Sequence, residues 1–330
     1  MKKIKAVALL SGGLDSSLAV KLIKDQGIDV HALNCTSIFC LCNTRGRCES
    51  AEVAKKFNVP IKMIKKGMEY IKIVRNPKHG YGSSMNPCID CRIYLLKKAK
   101  KYAKEIGAKF IFTGEVLDQR PMSQHFNTLM LIEKESGLKG KLLRPLSAKL
   151  LPETEAEKKG WVKRELLLGI KGRQRKEQIE LAKKLNFSDY PCPSGGCLLT
   201  DKCFGNKIRD LFDHKKTISM KDLLMLKYGR HFRLDGSKII VGRNEAENKE
   251  LLRLKNKSDY YFEVPDCGSP VTVLQDKKTK EAIKLAAQLT ARYSDDKNDE
   301  VLVKYGRSRS DKEIKINKIS EDEINKFFIK

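Results

Sequence analysis

IKAVALL at residues 4–10 runs directly into SGGLDSS at residues 11–17, an apolar run, a glycine-rich turn and the start of a helical pattern that continues from Asp15 to Gln26. This reads as a buried strand, a tight turn and a helix. Working outward, Asp29–Asn34 reads as a second strand, residues 49–57 as a helix, Ile61–Ile64 as a short strand, Arg92–Ile106 as a lysine-rich helix and Lys109–Thr113 as another strand. Strands that alternate with helices imply an α/β fold with a doubly wound, mainly parallel sheet, covered by helices on both faces. In such sheets ligands bind beyond the carboxyl ends of the strands, so the informative loops begin at Ser11, Asn34 and Thr113.

The first of these loops has the chemistry of an anion site. Backbone N–H groups and the positive end of the helix dipole face outward at a strand-to-helix turn. Gly12 and Gly13 permit the unusual φ values and close backbone approach, Ser11, Ser16 and Ser17 supply hydroxyls, and Asp15 can cap the helix or help to hold a magnesium ion beside phosphates. The spacing is not that of the kinase and GTPase P-loop, because the Lys-Ser/Thr pair is absent. The third loop, TGEVLDQRPMSQ at 113–124, reaches the same rim. Its Gly114 leaves space for a ligand, and Arg120, Ser123 and Gln124 offer donors to phosphate or base.

Ten cysteines in a chain without a signal-peptide pattern or an apolar run of spanning length point to a cytosolic, non-membrane protein whose thiols bind metal or do chemistry. NPCIDC, residues 86–91, places Cys88 and Cys91 at a helix start, where the dipole favours thiolate. Cys35, Cys40, Cys42 and Cys48 form a C-x4-C-x-C-x5-C group after the second strand, open to zinc, a second iron-sulfur ligand set or plain burial. Cys203 and Cys267 read as structural thiols, and the histidines, including His79, His125 and His231, give no metal motif.

The chain carries 67 Lys and Arg against 41 Asp and Glu, a formal charge of +26 over 330 residues. That excess exceeds what solubility requires and predicts a polyanionic partner, nucleic acid first. A boundary near Thr200 separates a first domain, 1–199, from a smaller basic α+β domain, 200–330, in which HFRLDGSKIIVGRN forms a hairpin turning at Asp235 and Gly236. The tail continues through an exposed RSRSDK loop, an alternating IKINKI strand and a short helix.

SGGLDSS resembles the PP-loop of ATP pyrophosphatases, the adenine nucleotide alpha-hydrolase-like enzymes that split ATP between its α and β phosphates. NPCIDC, with its Asn-Pro-Cys and CxxC, is similar to the segment carried at this place by PP-loop enzymes that thiolate tRNA. TGEVLDQRPMSQ and GGCLLTD look like segments of a group of archaeal and bacterial PP-loop proteins that end in a domain related to the RNA-binding domain of NFACT proteins. GRHFR at 229–233 and VGRNEAEN at 241–248 fall in the candidate for that domain. No counterpart of the THUMP domain or rhodanese extension of the 4-thiouridine synthetases is recognised.

The resemblance implies a tRNA sulfurtransferase using ATP and Mg2+, with tRNA or another RNA and a sulfur donor, sulfide or a persulfide carrier, as partners. It implies ATP contacts from Ser11, Gly12, Gly13, Asp15, Ser16, Ser17, Asn34, Gly114, Arg120 and Gln124. Catalysis falls to Asp15, Cys91 and Cys197, and sulfur rests on a 4Fe-4S cluster held by Cys88, Cys91 and Cys197 or on a cysteine persulfide, with Cys192 as the alternative to Cys197. A PP-loop enzyme acting on a small molecule, or a noncatalytic RNA-binding protein, would share part of the pattern. The uridine, the ring position and the oligomeric state are not written in the sequence.

Overall fold

Strand β1 (Lys5–Leu9) and helix α1 (Leu14–Lys24) open the first unit, followed by β2 (Asp29–Thr36), α2 (Glu49–Lys56), β3 (Ile61–Lys65), α3 (Met68–Arg75), α4 (Cys88–Ile106) and β4 (Phe110–Thr113). Then come α5 (Phe126–Ser136), β5 (Leu142–Leu143), α6 (Glu155–Lys158) and α7 (Lys176–Lys184). The computed structural model describes residues 3–41, 49–185, 187 and 196–330. It divides into two units, Met1–Thr200 and Asp201–Lys330.

The first unit's sheet has the order β3-β2-β1-β4-β5, and every pairing is parallel. Because successive strand residues face opposite sides, the unit has two cores. Ala6, Ala8, Phe110 and Phe112 pack with α1, α2 and α7, whereas Val7, Leu33 and Ile111 pack with α4 and α5. Helices therefore cover both faces, as the alternating pattern requires. The strand order reverses direction between β1 and β4, so the loops leaving these strands diverge and open a crevice at their carboxyl ends.

Helices α3 and α5 were not anticipated from the sequence. MEYIKIVR is rich in β-branched and aromatic residues, but Tyr70, Ile71 and Val74 fall on one helical face that is buried. Helix α4 is longer than the lysine-rich pattern suggests. It starts at Cys88 with Pro87 at the cap and ends at Gly107, which adopts φ 70°. Both cysteines of the CxxC thus lie in the first turn.

The second unit contains α8 (Lys202–His214), α9 (Met220–Met225), β6 (Arg230–Leu234), β7 (Ser237–Val241), α10 (Glu245–Leu254), β8 (Tyr260–Glu263), β9 (Thr272–Asp276), α11 (Lys280–Arg292), β10 (Glu300–Gly306), β11 (Lys312–Asn317) and α12 (Glu321–Phe327). Its strands form a six-stranded sheet in the order β11-β10-β8-β9-β7-β6, antiparallel throughout. Asp235 takes φ 46° in the β6–β7 hairpin turn. The alanine-rich face of α11 packs with Phe232 and Phe262 in this unit's core. No helix among the described residues is long and apolar enough to cross a membrane.

Candidate active site

The turn after β1 is tied together by its own serines. Ser16 and Ser17 hydroxyls donate to Gly13 O at 2.9 and 3.0 Å, and the Ser11 and Ser16 hydroxyls lie 3.0 Å apart. Gly12 sits at φ 87°, and a Cβ there would come within 2.6 Å of Ser50 N on α2. The turn is thus shaped before any ligand arrives. Asn34 donates from Nδ2 to Leu10 O at 2.7 Å, joining the ends of β1 and β2, while its buried Oδ1 has no hydrogen-bond partner among the described residues.

A cleft of about 120 Å³, partly open to solvent, lies over this turn. Of the residues expected to hold nucleotide, Ser11, Gly13, Asp15, Ser16, Asn34, Gly114, Arg120 and Gln124 line it, and Gly12 and Ser17 do not. Gly12 and Ser17 serve the shape of the turn. Gly114 has a structural reason beside the expected space for a ligand. A Cβ there would fall 2.5 Å from Asp15 C and from Ser16 N and Cα, so the glycine lets the β4 rim press against the start of α1. Gly114→Ala should cost about 3 kcal/mol, because the obstructing atoms are backbone and cannot rotate away. Urea denaturation of the variant checks this.

The cleft's charges oppose one another. Asp15 Oδ2 accepts from Gln119 Nε2 at 3.2 Å and lies 3.8 Å from Arg175 Nε, and Gln178 also stands by the carboxylate, but the buried Oδ1 has no hydrogen-bond partner of good geometry among the described residues. Burial raises the Asp15 pKa despite Arg175, Gln119 and Arg120. Arg120 is pushed the other way for a cation, downward, by burial and by the neighbouring guanidinium groups of Arg92 and Arg175. Arg175 and Arg120 beside the Asp15 carboxylate, with Arg92 close to Arg120, suit a polyanion that arrives with a divalent cation. Arg175 belongs to the basic run KGRQRK at 171–176, and its guanidinium turns inward to Asp15.

Arg92, next to Cys91, connects the cleft to the helix that carries the cysteines. Its Nε lies 3.3 Å from Glu115 Oε1, and Glu115 Oε2 accepts from Arg144 Nε at 3.1 Å. Arg144 also pairs with Glu133, and all three of Glu115, Glu133 and Arg144 are buried. Burial works against the Glu115 charge, yet Arg92 and Arg144 hold its pKa below the ordinary value. These partners lie far apart in sequence, and no local motif announces them.

The sulfurs form a second group on the same rim. Lys66 Nζ donates to Cys91 Sγ at 3.3 Å and lies 4.5 Å from the Tyr70 ring centroid. Burial opposes the Lys66 charge, but the sulfurs of Cys91, Cys40 and Cys35 hold its pKa above the ordinary value. Cys35 and Cys197 are each pushed up to about 11, chiefly by burial. Cys88 Sγ accepts from Asn86 Nδ2 at 3.2 Å, which gives the Asn of NPCIDC a local role. Lys66→Met should slow alkylation of Cys91 by iodoacetamide severalfold at neutral pH without altering that of exposed Cys203, as read by peptide mass spectrometry.

Among the described residues, no three His, Cys, Asp or Glu side chains are placed to hold a single metal ion. Cys42, Cys48 and Cys192 lie outside the described residues. An isolated antiparallel bridge pairs Cys40 with Cys197, so the late cysteine and a member of the early cysteine group are neighbours. No spacing in the sequence signals that pairing.

Residues 2–149 match the family described as Thiamine biosynthesis protein (ThiI), and residues 229–328 match the NFACT protein RNA binding domain. The chain is 30% identical over 134 residues to the tRNA-specific 2-thiouridylase MnmA of Clostridium perfringens, covering 34% of this chain and 36% of that protein. It is also 30% identical over 151 residues to a "Probable tRNA sulfurtransferase" of Thermococcus kodakarensis, covering 43% of this chain and 36% of that protein. The chain thus spans about a third of the length of these relatives. The solved U34-tRNA thiolase NcsA of Methanococcus maripaludis, with its [4Fe-4S] cluster, superimposes with a TM-score of 0.35 at 21% identity, over 58% of this chain and 61% of that one. A likeness that loose carries no argument.

Proposed function

From a chain that joins a ThiI-type PP-loop domain to an NFACT-type RNA-binding domain, we propose an ATP-dependent tRNA sulfurtransferase. The uridine carbonyl oxygen attacks the α phosphorus of ATP and pyrophosphate leaves. A sulfur nucleophile then adds to the activated carbon and AMP departs. The observation that carries this reading is the shared cleft: the phosphate turn lines it from one side, and Cys35 and Arg92, the neighbour of Cys91, line it from another. Activation and sulfur delivery can therefore meet at one carbon.

The Gly13 N–H, the α1 dipole and the hydroxyls of Ser11 and Ser16 would grip pyrophosphate, with Arg120, Arg175 and Arg92 balancing its charge. Mg2+ fits at Asp15, whose Oδ1 is buried without a hydrogen-bond partner among the described residues, and it would supply charge neutralisation to the phosphates. Asn34 Oδ1 and Gln124 Oε1, likewise without hydrogen-bond partners, offer acceptors to nucleotide N–H groups.

Cys88, Cys91 and Cys197 have the donor chemistry of an iron-sulfur site, but Cys91 is engaged by Lys66 and Cys88 by Asn86. Donors to sulfur accompany cluster ligands as readily as they accompany a persulfide, so these contacts are compatible with both carriers, and no step is assigned to a cluster. In the second unit, Arg307 and Lys312 lie 5.4 and 5.6 Å from the Tyr260 ring centroid, and Lys255 lies 5.4 Å from that of Tyr261. Cations over aromatic faces at an exposed loop suit RNA backbone and bases.

The test is nucleoside analysis of tRNA after incubation with the protein, ATP and a sulfane-sulfur donor, alongside iron and labile-sulfide analysis of protein purified without oxygen. A thiouridine formed only with ATP by iron-free protein supports the reading with persulfide. A cluster lost in Cys88→Ala would move the sulfur to iron. Unmodified tRNA in every condition would remove the proposal and favour the small-molecule PP-loop alternative.

A further inference from the structure

We propose that the second unit takes unpaired RNA, with one base stacked on Tyr260 and the neighbouring phosphates held by Arg307, Arg309 and Lys312. This rests on the RNA-acting reading above and names the form of RNA that the unit recognises. Tyr260 opens β8, and with Arg307, Ser308, Arg309, Asp311 and Lys312 of the β10–β11 turn it lines an open hollow of about 540 Å³. The turn is the RSRSDK segment at 307–312. The Arg307 guanidinium and the Lys312 ammonium stand 5.4 and 5.6 Å from the Tyr260 ring centroid. Three cations against the single carboxylate of Asp311 give the lining the sign that phosphates require.

The platform is built before a strand arrives. Tyr305 meets Tyr260 edge-on, with centroids 5.8 Å apart and planes at 80°, and it stacks on Phe262 at 5.0 Å and 9°. Phe262 is fully buried in the unit's core, so the Tyr260 ring is backed by packing. A Cβ on Gly306 would fall 1.7 Å from Arg309 O, so the turn folds back on itself where a side chain would block it. Ser310 Oγ donates to Glu263 Oε1 on β8 at 2.8 Å, and Lys255 Nζ donates to Arg307 O. These bonds tie the turn to the strand that carries Tyr260, while Arg307, Arg309 and Lys312 stay exposed.

Stacking selects the form of the ligand. A base inside a duplex has both faces covered by its neighbours, and only an unpaired one can lay a face on an aromatic ring. An open hollow suits a strand that runs across it, whereas a free nucleotide is held by a site that encloses most of its surface. A phosphate track alone would need the cations but not the backed aromatic ring, and it would take duplex and single strand alike.

Fluorescence anisotropy of the whole protein, without ATP, tests this with a short single-stranded RNA and with the same strand paired into a duplex. The single strand should bind at least about tenfold tighter, Tyr260→Ala should weaken it about tenfold and leave the duplex unchanged, and Tyr260→Phe should stay within about twofold of wild type. Arg309→Gln, a change on an exposed turn, should lower the salt slope of single-strand binding by about one. Irradiation of wild type with a strand containing 5-iodouridine should cross-link the peptide that bears Tyr260. Equal affinity for the two RNA forms, wild-type binding by Tyr260→Ala, an unchanged salt slope in Arg309→Gln or a cross-link confined to other peptides overturns the proposal. None of these readouts involves ATP cleavage, so their failure counts against this platform alone, whereas unpaired RNA that binds here without any RNA-dependent pyrophosphate release counts against the underlying reading.

Discussion

Asp15→Asn should reduce ATP cleavage by about 10²–10³-fold while leaving the ligand-free fold at least as stable as wild type. The loss follows from the carboxylate's position at the start of α1, lining the cleft with Oδ1 buried and without a hydrogen-bond partner among the described residues. An amide of the same shape cannot anchor the cation that accompanies the phosphates. The stability follows from the sign of the pKa shift. Burial raises the Asp15 pKa above its ordinary value even with Arg175, Gln119 and Arg120 nearby. A raised carboxyl contributes its stability below the unfolded pKa, and that contribution is lost as pH rises through the folded one. At neutral pH the ionised group therefore weighs against the empty fold, and asparagine removes the burden. Thermal melts from about pH 4 to 7 would show the variant matching or exceeding wild type at the upper end. A lower melting point there would mean that Asp15 is chiefly a structural partner of Arg175.

Arg144→Met should be the most destabilising of these substitutions, at about 3–5 kcal/mol, because it leaves two buried carboxylates without their shared cation. Glu115 and Glu133 both depend on Arg144, and Glu115 also accepts from Thr113 Oγ1 at 3.0 Å. The damage would reach the β4 rim and, through Arg92, the helix that bears Cys88 and Cys91. In wild type the Glu115 pKa is lowered, so its contribution is present above the unfolded pKa and lost as pH falls through the folded one. Without Arg144, burial dominates and acid relieves the charge. The deficit measured by urea denaturation should shrink between about pH 7 and pH 5, and a pH-independent deficit would point to lost packing alone.

The first strand, the turn and the helix after it were legible because their pattern is local. Alternation of apolar strands with helices was enough to set a parallel sheet and the three loops of its rim. The residues that finish the cleft were not legible in the same way. Arg92, Glu115 and Arg175 look like ordinary surface charges in sequence, and Lys66 is one lysine in a run of Lys65 and Lys66 at the end of a strand. Only the topology brings Arg92 and Glu115 into the cleft, Arg175 to Asp15 and Lys66 to Cys91. Gly114 was visible as unusual, but the close approach of α1 that requires it was not. In the second unit, TVLQD and YYFE become strands because antiparallel partners lie on both sides, a context that a local reading lacks.

The most direct test of the central claim is the fate of ATP labelled in its γ phosphate, with and without tRNA. The account predicts label in pyrophosphate, matched by AMP, only when tRNA is present. Label in orthophosphate with ADP, or pyrophosphate release indifferent to RNA, would contradict it.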